Sequence, residues 1–332
     1  MEQLSLAPTY EWYIKRHFSR IGLAVLTFFF CYQFFGSLLI ALVSAFAPNL
    51  LAAQPWIEQT LSSCAQYLIG IPLAFLVLRH LPKARILRRK ISVPQLLALF
   101  CVCQFWAATA NVATMILTSL INLLLPAPAA NPLADLLSNL SSLPAFVFIV
   151  VLAPIFEELF FRKFLIDRTA QYGETPAILI SGLLFGLFHG NLQQAPYAVL
   201  TGFVLGYAYV KSGELRYSIF LHMIINFCSW LNLQFLLLSD SSPELGSFLT
   251  MLFGLFTLGA FITGLVLFCI HFKKLRRGLQ KASVPNFGKL VFRNPGMILY
   301  FVLVGLIIVL VLLAPALTLW AEQATTSTAL PM

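Results

Sequence analysis

Nine long apolar runs, joined by short connections, dictate the solvent in which this chain folds. They cover residues 21–47, 61–79, 94–125, 143–162, 175–190, 196–211, 217–238, 245–271 and 296–320. A helix needs ~20 apolar residues to cross the hydrocarbon core of a bilayer. The expected fold is therefore all-α: a polytopic transmembrane helical bundle of about nine spans. Of the 332 residues, 60% are hydrophobic and 10% charged, whereas soluble domains carry about 25% charged residues. That balance excludes a soluble globular protein, a disordered chain and a disulfide-knit secreted domain. Little length remains outside the runs, so any function is expected within the bundle or its short loops.

Charge placement tests the span count, because Lys and Arg are held on the cytoplasmic side of short loops. With the N-terminus inside, the inner segments 15–20, 79–90, 162–168, 211–216 and 273–293 take all 21 Lys and Arg. The outer connections carry only acids: Glu58, Asp135, Asp240, Glu244 and Glu322. The expectation is a multi-pass cell-membrane protein with a cytoplasmic N-terminus and an outer C-terminus. The net charge of +9 then reflects topology and attraction to anionic lipid, and no nucleic-acid partner is called for. Residues 1–20 are polar and the run after them is too long for a cleavable signal, so no signal peptide is expected. The six cysteines lie in apolar stretches without a CxxC and read as small buried hydrophobes. Three regions are drawn: 1–142 with three spans, a four-span core at 143–238, and 239–332 with two spans.

Ionisable groups inside the bilayer cost at least ~2.5–3.5 kcal/mol on insertion scales, so they usually mark function. The core holds four such places. Glu157 and Glu158 close Pro154-Ile-Phe-Glu157-Glu158-Leu-Phe-Phe-Arg162, His189 ends Phe185-Gly-Leu-Phe-His189, and His222 with Asn226 forms His222-Met-Ile-Ile-Asn226. A cytoplasmic bend near Gly173 gives Glu157 and His189 arms of 16 residues each, which sets them at one level in an antiparallel hairpin. His222 follows Arg216 by six residues, about 9 Å at helical rise. A carboxylate and two imidazoles are thus expected at a common depth of roughly 10 Å below the cytoplasmic surface. His222 and Asn226 share a helix face, and Glu158 stands one turn before Arg162, the favourable order for an intrahelical ion pair. Pro154 is expected to kink its helix. The stripes Gly182, Gly186, Gly190 and Gly202, Gly206 are expected to bring helices close. The segment 190–196 is expected to be recessed and to line a wet cavity.

A glutamate and a histidine can activate water by general-base catalysis. A second histidine with an asparagine can donate to a developing oxyanion. Together they make a peptide hydrolase that needs no Ser or Cys nucleophile. Glu157, His189 and His222 also match a two-His, one-carboxylate zinc set, although no HExxH is present. Zinc stays a possible cofactor beside the favoured metal-free reading.

In that order the three motifs resemble the CPBP family: the CAAX proteases and bacteriocin-processing (Abi) intramembrane proteases, relatives of the type II CAAX prenyl endopeptidases. All three are intact. The resemblance implies that Glu157 is the catalytic carboxylate, working with His189 on water, and that His222 and Asn226 stabilise the oxyanion. Glu158, Arg162 and Phe185 are supporting residues. It implies a membrane-associated or lipidated, hydrophobic peptide substrate, without naming it.

Plainer readings stand beside these. A buried Glu–Arg pair can be structural glue, a lone intramembrane His a packing residue, Asn226 an interhelical hydrogen bond, and Phe185 a core aromatic. His17, His80 and His271 read as interfacial. The rival functions are a proton-coupled transporter, which predicts broken helices and inverted repeats, and a non-catalytic immunity or binding protein with a degenerate site.

Overall fold

In hydrocarbon every backbone N–H and C=O must be satisfied within its own segment, and each apolar run does lie on a helix. The computed structural model describes residues 7–54, 56–132, 143–277, 279–282 and 284–328. Its helices are α1 (Pro8–Phe46), α2 (Pro48–Ala53), α3 (Trp56–Leu78), α4 (Val93–Asn122), α5 (143–169), α6 (Glu174–Leu187), α7 (Ala195–Ser212), α8 (Leu215–Ser241), α9 (Pro243–Arg277), α10 (Phe287–Phe292) and α11 (Pro295–Thr328). Among the described residues there is no strand. Six helices are long and apolar enough to cross a membrane: α1, α3, α4, α8, α9 and α11. The other three runs fall on α5, α6 and α7, which are shorter or interrupted. Asp135 lies outside the described residues.

Four stretches are wound as wider π turns: Cys31–Phe35 in α1, Ala65–Gly70 in α3, and Val147–Leu152 and Leu159–Ile166 in α5. Such turns are rare and often border functional sites. In α5 they flank Pro154, whose ring removes an N–H and clashes with the preceding turn. The disturbance expected as a kink is thus taken up partly by winding.

The glycine stripes bring α6 and α7 together. A Cβ on Gly182 would strike Phe203, and one on Gly186 would strike Val199; one on Gly202 would meet Gly182 Cα at 3.0 Å. The expected bend sits at Gly173, whose φ of 127° is one that L-residues rarely adopt. It starts α6 against the carbonyl of Lys281.

The basic segments meet at one end of the bundle. Ala84 N–H donates to the Asp167 carbonyl at 2.6 Å, Arg89 N–H to Ser212 at 2.7 Å, and Thr175 N–H to Gln280 at 2.9 Å. Lys211 pairs with Glu174 at 2.8 Å. Gly296 N–H donates to Ser19 Oγ at 3.0 Å, joining the N-terminal segment to the same end. His17 departs from its expected place. α1 begins at Pro8, so His17 lies within a packed helix face; it is buried, with its ring 5.3 Å from that of Tyr172 at 86°.

Candidate active site

Three helices supply the polar residues of the core: α5 carries Glu157, Glu158 and Arg162, the end of α6 carries Phe185 and His189, and α8 carries His222 and Asn226. Helical spacing sets Arg162 one turn beyond Glu158. Arg162 Nε lies 3.0 Å from Glu158 Oε2, and both side chains are 0% exposed. Glu158 Oε1 lies 3.1 Å from His222 Nδ1. Arg162 donates to Ser181 Oγ at 3.2 Å, and Ser181 donates to the Phe161 carbonyl at 2.8 Å. This chain of contacts ties α5 to α6 and α8 and uses both oxygens of Glu158.

Glu157 is turned about 100° from Glu158 and faces a different neighbourhood. Its Oε2 lies 3.8 Å from His222 Nε2, so one imidazole bridges the two carboxylates. Arg162 offsets one of them.

His189 is placed by the end of its helix. The last four carbonyls of a helix lack intrahelical partners, and α6 ends at Leu187. His189 Nδ1 takes up one of them, the Phe185 carbonyl, at 3.1 Å. A carbonyl can only accept, so Nδ1 carries the proton and Nε2 keeps a free lone pair. The Phe185 ring stands perpendicular to both imidazoles, 5.2 Å from His189 and 5.5 Å from His222. The Arg162 guanidinium lies 4.7 Å over the same ring. Phe185 therefore does more than fill the core: it fixes the relative pose of three polar groups.

Glu157, Phe185, His189, His222 and Asn226 all line one cavity of about 1110 Å³. The connection after α6 borders it through Gly190, Asn191 and Gln194. Asn191 Nδ2 donates to the His189 carbonyl at 2.9 Å and to Gln194 Oε1 at 2.8 Å. The polar residues of this irregular segment thus satisfy one another beside the cavity.

Asn226 Nδ2 donates to the Ile149 carbonyl at 2.9 Å, the interhelical bond of its plainer reading. Its second N–H is left over on the same side chain, which also lines the cavity.

Glu158 and Arg162 pair as their spacing predicts, but α5 continues through Thr169, so Arg162 lies inside the protein, fully buried, and not at a helix end. A cation paired on its own helix and covered by an aromatic ring has no need to reach water. His189 follows a helix of 14 residues from the Gly173 turn, ~21 Å at helical rise.

Residues on α3 and α4 that carried no family signature also line the cavity. On α3 these are Gln59, Ser62, Ser63 and Gln66; on α4 they are Gln104 and Asn111. The α3 set recurs at i, i+3, i+4 and i+7, one helical face. Weighing uncharged polar residues alongside ionisable ones exposes that stripe in the sequence.

The donor set does not fit a metal. Among the described residues no three His, Cys, Asp or Glu side chains converge on a point where one ion could sit. No step below passes through zinc.

No curated protein and no solved structure matches the chain. Residues 139–228 match the family model described as Type II CAAX prenyl endopeptidase Rce1-like, a protease family, and all three motifs lie within the matched segment. Within this multi-pass helical chain the stretch from α5 to the first half of α8 is therefore similar to the Rce1-like protease family.

Proposed function

We propose that the chain is an intramembrane endopeptidase that hydrolyses a peptide bond of a membrane-associated substrate, with Glu157 as general base. The observation that carries this reading is the placement of Glu157. It lines the cavity 3.8 Å from His222 Nε2, while its neighbour Glu158 is wholly engaged by Arg162 and His222.

The steps follow from these positions. Glu157 takes a proton from water, with the unprotonated Nε2 of His189 as a second acceptor to orient it. The water oxygen bonds to the scissile carbonyl carbon. The charge that develops on the carbonyl oxygen needs donors held in place beforehand. Ionised Glu158 offers His222 Nδ1 no proton, so that nitrogen carries its own. In the imidazolium form Nε2 carries one too and donates to the oxyanion, with the spare N–H of Asn226 beside it. The proton on Glu157 then passes to the leaving nitrogen as the C–N bond breaks. The products are a carboxylic acid and an amine.

The test is cleavage of a panel of membrane-anchored fluorogenic peptides by the purified chain, compared with Glu157→Gln and His189→Ala. Loss of cleavage in both variants, with folding intact, supports the assignment. Cleavage that survives both overturns it. Cleavage that is unchanged by a chelator agrees with the donor set, and chelator-sensitive cleavage restored by zinc overturns the metal-free mechanism.

A further inference from the structure

Between α3 and α4 the chain runs through residues 79–92 without forming a helix. Pro82 withholds an N–H there, and a capping box at Ser92 starts α4. This strap is fixed along its length. Arg168 Nε of α5 donates to the Leu78 carbonyl at 2.9 Å, where α3 ends. The N–H groups of Ala84 and Arg89 are held by the carbonyls of Asp167 on α5 and Ser212 on α7. Gly213, at a φ of 64°, lets the strap pass so close that a Cβ there would stand 2.7 Å from the Leu87 carbonyl oxygen. Leu81, Ile86 and Ile91 pack inward, each with a different apolar cluster of the core. The outward edge is Lys83, Arg85, Leu87, Arg88, Arg89 and Lys90, all exposed. Among the described residues none of these five cations takes part in an ion pair. The acids beside the anchors are already engaged, Asp167 by Lys163 at 2.8 Å and Glu214 by Arg216 at 2.6 Å.

We propose that this outward edge binds the headgroups of anionic phospholipids, and that the bound lipid braces α3, α4, α5 and α7 at the basic end of the bundle. α3 and α4 are both long and apolar enough to cross the membrane, so the strap that joins them lies where each leaves the hydrocarbon, at the level of the headgroups. Five cations without a protein counter-charge face that level within residues 83–90. Each Lys or Arg near an anionic surface is worth about fivefold in affinity. Leu87, 65% exposed in the middle of the run, favours a lipid over a soluble phosphate, because an apolar side chain among the cations meets acyl chains beneath the phosphates. The inner edge carries the effect into the bundle. A headgroup that holds the Arg88 and Arg89 side chains also holds the Arg89 N–H against Ser212, and one at Lys83 and Arg85 does the same for Ala84 and Asp167.

The test is thermal unfolding of the full purified chain in an uncharged detergent, with phosphatidylglycerol or phosphatidylcholine added. A ligand that binds the native state raises the unfolding temperature with its concentration. Phosphatidylglycerol is expected to raise it well beyond phosphatidylcholine. The variant Arg85→Gln/Arg88→Gln/Arg89→Gln is expected to need at least about tenfold more phosphatidylglycerol for half of that excess. The control Lys281→Gln/Lys289→Gln/Arg293→Gln removes the same charge from exposed positions and is expected to keep the wild-type response. In ~1 M salt, where the Debye length is ~3 Å, the wild type is expected to lose the excess, a reading that stands even where the triple variant does not fold. Equal shifts from the two lipids, an excess that survives high salt, or an equal loss in the control overturns the site. So does the same shift from glycerol phosphate or soluble polyglutamate, which marks a surface open to any anion. Turnover enters none of these readings, so their failure leaves the hydrolase reading intact.

Discussion

The side-chain amide of Asn226 donates to the main-chain carbonyl of Ile149 at 2.9 Å, five residues before Pro154. In a π turn a carbonyl looks five residues ahead for its N–H, and proline has none to give. α8 thus supplies to α5 a donor that the sequence of α5 withholds. Asn226→Ala is expected to cost about 1 kcal/mol, the usual net worth of one hydrogen bond. Thermal unfolding in detergent checks it. A variant as stable as the wild type removes this role and leaves only the oxyanion one.

Arg162→Met strands Glu158 as a buried, half-paired carboxylate. Breaking a buried pair costs ~3–5 kcal/mol, while replacing both partners by apolar groups of similar size is often neutral. The double variant Glu158→Met/Arg162→Met is therefore expected to unfold at a higher temperature than Arg162→Met alone. Additive losses would show that the two residues do not act as a pair.

Glu157→Gln keeps the shape and removes the base. On the proposed mechanism kcat falls by about 10²–10⁴, the usual worth of general-base catalysis, while the unfolding temperature holds. A fall in stability equal to that of Arg162→Met would mark Glu157 as structural glue instead.

Gly182→Val puts branched carbon where Phe203 already sits against α6. Overpacking of this kind costs about 1–3 kcal/mol, and it shifts the helix that carries His189, so turnover is expected to fall with stability. Gly305→Ala is the control, since nothing lies within 4 Å of its added methyl. Its unfolding temperature should not drop.

The turn at Gly173 and the close α6–α7 contact were legible because each rests on a local rule: glycine at a positive φ, and small residues one turn apart. The meeting of Glu157 with His222 was legible for a similar reason, since intramembrane ionisable groups are few and have few partners to seek. The Glu158–Arg162 pair was legible from its spacing on one helix. That Arg162 is sealed in was not, because it depends on the tertiary contacts with Ser181 and Phe185. The His17 environment was hidden likewise, since α1 begins well before its apolar run does. The polar face of α3 went unread because glutamine and serine raise no alarm singly. Its meaning lies in the cavity, which belongs to no single helix.

The π turns of α1, α3 and α5 carry a further consequence. Each inserts an offset into the helical count, so one face of the rod does not continue straight through it. Removing a single residue from Val147–Leu152 would let that stretch relax to ordinary winding and would swing Phe148 and Ile149 about 100° relative to Glu157. In this bundle, chain length between landmarks is as much a determinant of the reaction chamber as side-chain identity. An indel of one residue, usually dismissed as minor in a hydrophobic helix, would here redraw the wall.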